Sequence, residues 1–167
     1  MTSAAPAVTV QRVTRVELVG FLRRYKLAVV ATVGAPGGPT SSAGLGSPPG
    51  APQAAVVGFA VSDQLEIVFD TLESTRKYAN LVADPRIALV IGWDDAITAQ
   101  IEGVADVPAG AELERLRQCY FGPYPDGRER LAWPGITHVR VRPTWARLSD
   151  FTREPPSIVE LRGEPFI

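Results

Sequence analysis

The sequence predicts a mostly β domain, a small antiparallel barrel with helices packed on its outside. The chain has 167 residues, of which 46% are hydrophobic and 21% charged, as in a single soluble globular domain spanning residues 1–167. Its apolar runs are short, rich in β-branched residues and bounded by turn residues. Because helices do not alternate regularly with these runs, a parallel sheet is disfavoured and a small barrel is the natural architecture.

The first predicted element is a helix that follows a loose N-terminus. Thr14 and Glu17 have the spacing of a capping box, which satisfies free N–H groups at a helix N-terminus. One face of this helix then carries the apolar side chains of Leu18, Phe21, Leu22 and Tyr25.

Seven strand-like runs follow this helix, and two further helices interrupt them. The first five runs cover residues 27–33, 54–61, 64–70, 86–93 and 97–107, and the last two read ITHVRVRP and WARLSDF. Ser62-Asp63 is a hairpin-like link between the second and third runs. A short helix is predicted after residue 75.

A longer helix is predicted from Pro108 to Phe121, because proline is favoured in the first turn. Its buried stripe is expected to hold Leu113, Leu116 and Tyr120. Residues 122–135 are predicted to form a loop, and the tail 151–167 is predicted to be irregular.

Residues 34–53 are predicted to form a long loop of glycine, proline, serine and alanine. A hairpin loop usually has about 2 to 5 residues, so this segment is either disordered or functional. Its composition favours disorder, and a loop that covers a bound ligand is the alternative.

Charge and cysteine content exclude several classes of protein. The formal net charge is -1, so no overall field attracts nucleic acid or an acidic membrane. The N-terminal residues lack a signal-peptide pattern and no apolar run approaches the roughly 20 residues of a membrane span, so we expect a cytoplasmic protein. Cys119 and His138 are the only residues of their types, which predicts neither a disulfide framework nor a Cys/His metal site.

The segment DTLESTRKYANL, residues 70–81, carries the clearest chemical signal. Ser74 or Thr75 can cap a helix that begins here, and Arg76 and Lys77 then fall in its first turn. The helix dipole favours acidic residues at this end, so two cations are unexpected there. A bound dianion explains them, because a guanidinium, an ammonium and free backbone N–H groups together suit a phosphate.

The alternative interpretation is that Arg76 and Lys77 form an exposed pair, partnered by Glu73 or Asp84. The scarcity of lysine favours a function, because Lys26 and Lys77 are the only lysines among 17 basic residues.

With these residues in view, the chain resembles the FMN-binding split-barrel superfamily of the pyridoxamine 5'-phosphate oxidases over about residues 27–150. In that family the key segment has the form strand, Thr, a short gap, Ser-Arg-Lys, helix, Asn-Pro or Asp-Pro, strand, Trp. The matching positions here are Thr71, Arg76, Lys77, Asp84-Pro85 and Trp93, and Thr75 stands where the family has its serine.

The resemblance implies that this segment binds the phosphate of FMN. The implied phosphate contacts are Thr71, Thr75, Arg76 and Lys77, and the neighbouring Asp70 and Ser74 are included in the predicted site.

Three further cofactor contacts are implied less directly. Val56 and Val57 lie on the strand whose backbone faces the isoalloxazine ring in the family, and their alternative role is plain core packing. Gln100, or Thr98, lies near a position where the oxidases use glutamine, and Gln100 can equally be an outward-facing polar residue.

The resemblance further implies an FMN-dependent oxidoreductase that is a homodimer, with its flavin sites at the subunit interface. ARLSDF replaces the Arg-Leu-His-Asp-Arg-like segment that helps the oxidases bind pyridoxal phosphate, so we expect another small organic substrate. Two alternatives remain open: a reductase that uses the deazaflavin coenzyme F-420, as in similar actinobacterial proteins, and a flavin-binding protein without turnover. No catalytic residue is assigned, since His138 and the tryptophans can serve either chemistry or packing.

Overall fold

The computed structural model describes residues 10–35 and 50–162. Within these two ranges the chain forms nine strands and four helices. In chain order they are β1 (Val10–Arg12), α1 (Arg15–Leu22), β2 (Leu27–Val33), β3 (Pro52–Gly58), β4 (Ala60–Val61), β5 (Ile67–Leu72), α2 (Arg76–Ala83), β6 (Arg86–Ile91), β7 (Ile97–Asp106), α3 (Gly110–Phe121), α4 (Gly127–Arg130), β8 (Ile136–Asp150) and β9 (Ser157–Arg162).

The strands form one sheet that curls into a half-barrel with the helices at its flanks. Seven strands follow the order β1-β9-β8-β7-β6-β2-β3, while β4 pairs with β5 and β5 pairs with β8. Every pairing is antiparallel except that of β1 with β9. The predicted mostly antiparallel split barrel with flanking helices is therefore confirmed.

The core lies on the inner face of this sheet, where alternate side chains of each strand are buried. On β2 the buried residues are Ala28, Val30 and Thr32. Helix α1 closes one end of the core, and Leu18 and Leu22 are fully buried there. The predicted capping box is present, because Glu17 N–H donates to Thr14 and Glu17 accepts from Thr14 N–H.

The predicted strand over residues 54–61 is divided into β3 and β4 at Phe59. The Phe59 N–H donates to the carbonyl oxygen of Lys26 at 3.1 Å, which continues the β2–β3 register by one residue, and Ala60 then pairs with Val68 of β5. Gly58 lets the ring of Tyr124 pack at this point, because a Cβ there would lie 2.9 Å from that ring. Periodicity alone did not show this change of direction.

The two strands predicted at the end of the barrel are one continuous strand, β8. Pro143, which was expected to end the first of them, lies at a shift of register opposite Gly103. A Cβ on Gly103 would come within 2.6 Å of the carbonyl oxygen of Arg142, so only glycine permits this close approach. A β-bulge accommodates the proline without ending the strand.

Both ends of the described chain contain a strand that the sequence did not predict. The expected loose N-terminus includes β1, and the expected irregular tail includes β9. Strand β9 pairs with the second half of β8, and β1 adds to the outer side of β9. These strands exist because a distant edge offers backbone partners, which local patterning does not reveal.

Two smaller boundaries also differ from the prediction. Helix α3 begins at Gly110 and not at Pro108, and the predicted loop 122–135 contains the short helix α4. Leu116 and Tyr120 are buried as expected, whereas Leu113 is only half-buried. Most of the predicted long loop, residues 36–49, lies outside the described residues.

The single histidine lies beneath α3 in an apolar environment. His138 is 1% exposed, and its ring meets Tyr120 and Phe121 edge to face at centroid distances of 5.4 and 6.1 Å. Within the described ranges neither ring nitrogen has a hydrogen-bond partner. Burial, with the positive charges of Arg117 and Arg130, lowers the pKa of His138, and Asp70 acts in the opposite direction.

We predict that His138 makes the protein less stable in mild acid. Its pKa in the folded state lies below the ordinary 6.5, so as pH falls through that value the unfolded chain takes up a proton first. Replacing His138 with Leu should leave stability at neutral pH equal or higher, because no hydrogen bond is lost. Below about pH 6.5 the free energy of unfolding of the variant should exceed that of the wild type by up to about 1.4 kcal/mol more for each pH unit.

Chemical denaturation between about pH 7.5 and pH 5.5 measures this difference in the free energy of unfolding. Thr137→Val, at the adjacent buried position of β8, is the control without a titrating group. An equal pH dependence in wild type and His138→Leu would contradict the prediction.

Candidate cofactor site

The candidate site begins where β5 passes into α2, and the short helix that the sequence predicted after residue 75 is present there. Thr75 is the N-cap residue, and its hydroxyl accepts the N–H of Tyr78 at 3.4 Å. Ser74 is exposed and does not cap the helix. Arg76 and Lys77 therefore occupy the first helical turn, which contains no acidic residue.

The first turn of α2 borders a cavity of about 570 Å³. This volume falls within the roughly 300–1,000 Å³ of ordinary ligand cavities. Strands β2 and β3 form the wall opposite the helix. The lining residues are Val30, Thr32, Pro52, Gln53, Ala54, Ala55, Thr75, Arg76 and Lys77.

A directed chain of hydrogen bonds holds Lys77 at the edge of the cavity. Lys77 Nζ donates to Thr71 Oγ1 at 3.0 Å, the Thr71 and Thr75 hydroxyls lie 3.0 Å apart, and Thr75 Oγ1 donates to the Leu72 carbonyl at 2.8 Å. Each hydroxyl has one proton, so Thr71 must donate to Thr75. In this arrangement both hydroxyl protons are engaged within the protein, and the two threonines position the ammonium group.

The described lining of the cavity carries two cationic side chains, Arg76 and Lys77, and no acidic one. Lys77 is half-buried, and burial lowers its pKa, while Asp70 acts in the opposite direction. Its ammonium group keeps two further protons for a ligand after the bond to Thr71. The suggested alternative partner Asp84 is occupied elsewhere, because Arg86 donates to its carboxylate at 2.6 Å.

Asp70 does not line this cavity. Its carboxylate accepts from the Tyr120 hydroxyl at 2.8 Å and from Arg130 Nε at 2.7 Å, beneath α3 and α4. Burial is the larger cause of the raised pKa of Tyr120, and the hydrogen bond to Asp70 raises that pKa further. A direct role of Asp70 in cofactor binding stays a prediction.

Val56 and Val57 point to opposite faces of β3. Val57 is 6% exposed and belongs to the core, whereas Val56 is 61% exposed on the outer face. The register places Val56 in one row with Val29, Val90 and Gln100 across four strands. Gln100 is thus also an outer-face residue, and the contacts of these residues with a flavin ring stay predictions.

Sequence reasoning missed three residues around the cavity. Thr32 and Gln53 form its far wall, and the buried Asn80 of α2 bonds to both. Gln53 lay inside the predicted loop, so its strand position was hidden. The sequence signal for Asn80 was its position: it is a polar residue one turn after Arg76, on the face that the short helix buries.

The segment that holds the candidate site lies within a region that matches a known protein family. The sequence pattern of the pyridoxamine 5'-phosphate oxidase family matches residues 15–149, which include the whole site. The chain belongs to this family. No curated protein matches the chain.

Solved structures similar to this pyridoxamine 5'-phosphate oxidase family member share its fold at low sequence identity. A heme binding protein from Mycobacterium smegmatis has a TM-score of 0.70 and 18% identity over 94% of this chain, which spans 61% of that protein. The heme storage protein of Vibrio cholerae has a TM-score of 0.61 and 14% identity, covering 76% of this chain and 87% of its own.

A third structure is a pyridoxamine 5'-phosphate oxidase-related, FMN binding protein from Nostoc punctiforme. Its TM-score is 0.58 at 12% identity, and the match covers 86% of this chain and 84% of the other. The same fold thus occurs in proteins named for either cofactor, so the fold alone does not identify the cofactor of this chain.

Two negative findings complete the description of residues 10–35 and 50–162. In these ranges no three His, Cys, Asp or Glu side chains come together as metal ligands. No helix there has the length and apolar character needed to cross a bilayer.

We predict that removing the Thr75 hydroxyl destabilises the start of α2. Thr75→Ala should lower the free energy of unfolding by about 1 kcal/mol, the usual loss for an N-cap substitution. The exposed neighbour Ser74 provides the control, and Ser74→Ala should change stability by less than about 0.5 kcal/mol. Urea denaturation of both variants measures the difference, and equal effects would show that Thr75 is not the stabilising cap.

Proposed function

We propose that the chain binds FMN through its phosphate at this cavity and acts as an FMN-dependent oxidoreductase on a small organic molecule. The observation that carries the proposal is the placement of Arg76 and Lys77 in the first turn of α2, against the cavity and without an acidic neighbour in that turn. A phosphate dianion supplies the negative charge that this helix end favours.

The donor set suits a phosphate group in chemical detail. The planar guanidinium of Arg76 can donate to two phosphate oxygens, and Lys77 can donate to a third. Backbone N–H groups of the first helical turn are further donors. When bound, FMN supplies the electron transfer, and the protein binds and orients it.

The described residues that line the cavity offer no acid or base for chemistry other than these two cations. Among its lining residues only Arg76 and Lys77 are ionisable. The proposed role of the chain is therefore binding, orientation and exclusion of water around the cofactor, and no catalytic side chain is assigned.

FMN is favoured over heme by the state of the only histidine. Iron in heme needs an accessible axial ligand, commonly an imidazole or a thiolate. His138 is enclosed by Tyr120 and Phe121, and burial raises the pKa of the Cys119 thiol. His138 is therefore not accessible to heme iron, and the raised pKa of Cys119 disfavours the thiolate that iron would need.

Pyridoxamine phosphate is disfavoured as the substrate by the end of β8. Arg147 donates to Glu160 at 2.7 Å, and Ser149 is buried. Asp150 accepts from Thr152 N–H at 3.0 Å. These polar groups are used inside the protein, in keeping with the absence of the oxidase substrate segment from the sequence.

We propose that two copies of the chain associate through the outer face of the sheet. Val56, Val29 and Val90 form an apolar row in register across β3, β2 and β6, and Leu27 lies on the same face. Such a continuous apolar surface is typical of an interface. The dimer implied by the resemblance would cover it and bring Gln100 to the boundary between subunits.

We predict that the double variant Arg76→Ala/Lys77→Ala loses FMN. Each charge-assisted hydrogen bond contributes about 1.5–3 kcal/mol, so the Kd for FMN should rise at least roughly 100-fold. The control is Arg24→Ala/Lys26→Ala, which removes the same charges away from the cavity. Titration of stripped protein, followed by flavin fluorescence, measures both variants and the wild type.

Parallel titrations with riboflavin, heme and the deazaflavin coenzyme F-420 identify the cofactor. Riboflavin lacks the phosphate, so its affinity should not respond to the double substitution. Preference for F-420 would make the chain a deazaflavin-dependent reductase, and FMN binding without reoxidation by any acceptor would indicate a non-catalytic flavin protein. Undiminished FMN affinity in the double variant would refute the phosphate site.

We predict that Val56→Lys converts the dimer to a monomer, because two ammonium groups would meet in an apolar interface. The control is Val16→Lys on α1, an even more exposed valine outside the sheet. Sedimentation velocity of the purified proteins measures the mass. A monomeric wild type, or a dimer that survives Val56→Lys, would refute this interface.

A further inference from the structure

Asn80 joins the helix that carries the basic pair to the opposite wall of the cavity. It is 1% exposed and lies one turn after Arg76. Its Oδ1 accepts the Ala35 N–H at 2.9 Å, and its Nδ2 donates to Thr32 Oγ1 and to Gln53 Oε1, each at 2.9 Å. One buried amide thus connects α2, β2 and β3.

A single backbone donor determines the direction of all these bonds. The Ala35 N–H can only donate, so the oxygen of Asn80 must face it. The Asn80 NH2 group, which can only donate, must then face the other two partners. Gln53 is thereby forced to present its oxygen to Asn80, and its own NH2 group is directed away from Asn80.

As a consequence, the polar groups on this wall of the cavity, those of Thr32 and Gln53, are hydrogen-bond donors toward the cavity. Gln53 and Thr32 both line the cavity and are paired across β2 and β3. Gln53 accepts from Asn80 through its oxygen, which leaves its NH2 group to donate elsewhere, and the Thr32 oxygen also accepts from Asn80, which leaves its proton to donate. The hydroxyls of Thr71 and Thr75, by contrast, are engaged within the protein.

We propose that Asn80 is a positioning residue that sets the donor polarity of this wall, and that Gln53 and Thr32 are anion contacts opposite Arg76 and Lys77. The inference rests on the proposed function in one respect, since the phosphate of FMN is the intended anion. Donors on both sides enclose a phosphate oxyanion, and they give no comparable advantage to an uncharged hydroxyl. Discrimination between FMN and riboflavin is the expected result.

Two near-isosteric variants test the proposal. Asn80→Asp keeps the acceptor for Ala35 but has no proton for Gln53, so the Gln53 amide must turn and present its oxygen to the cavity. Gln53→Met keeps the length of the side chain and removes the donor. The Kd for FMN should rise roughly 10- to 100-fold in Gln53→Met, the loss of one hydrogen bond to a charged acceptor, and further in Asn80→Asp.

The double variant separates positioning from a general loss of structure. If Asn80 acts through Gln53, Asn80→Asp should weaken FMN binding less in the Gln53→Met background than in the wild type. Riboflavin affinity should stay unchanged in all three variants. Full FMN affinity in both single variants, or equal losses of FMN and riboflavin, would overturn the inference. If Asn80→Asp does not fold, Gln53→Met alone decides it by the same comparison.

An NMR titration with inorganic phosphate tests the wall without a flavin. The side-chain amide signals of Gln53 in isotope-labelled wild type, assigned from the Gln53→Met variant, should shift on addition of phosphate together with those of Arg76. Shifts in a protein that does not bind FMN would refute the proposed function and support this inference. Shifts of Arg76 without Gln53, or of neither, would overturn it.

Discussion

The change of partner along β8 is the constraint on which the rest of the structure depends. The first half of this strand pairs with β5 and the second half with β9, while β7 runs along its other side. The change occurs near Pro143, at the bulge opposite Gly103, where a proline cannot donate to a ladder. Through this switch β5 and β9 share β8 as a neighbour without pairing with each other within the described residues, and the sheet stays open between them.

The position of the candidate cofactor site follows from the same pairing. Because β5 ends against the start of β8, the chain leaves the sheet after Leu72 and turns into α2, whose first turn borders the cavity. The opposite wall comes from β2 and β3, which are distant in the sheet order but are brought near by its curvature. Three segments of unrelated sequence position thus surround one space.

The fold alone does not identify the cofactor, since similar structures are named for heme or for FMN. The choice between heme and FMN depends on which polar groups face the cavity and which are bonded to other groups of the protein. Here the cations and donors face the cavity, whereas His138 and Asp70 lie under α3 and α4. The histidine is buried away from the cavity and the half-buried basic pair borders it, which is the arrangement on which the proposed phosphate site rests.

The sequence by itself determined the local elements, because they depend on patterns a few residues long. The capping box of α1, the strand β2 and the basic first turn of α2 all belong to this class. Their alternation and capping chemistry act within a few residues of the chain, so no distant partner is needed to predict them.

Only the tertiary structure decided which polar groups meet. Asn80, Thr32 and Gln53 are separated by up to 48 residues, and nothing in their neighbours indicates a shared hydrogen-bond network. The strands β1 and β9 likewise exist only as additions to edges built elsewhere in the chain. Long-range backbone pairing and buried hydrogen bonds need three-dimensional proximity, which local sequence patterns do not contain.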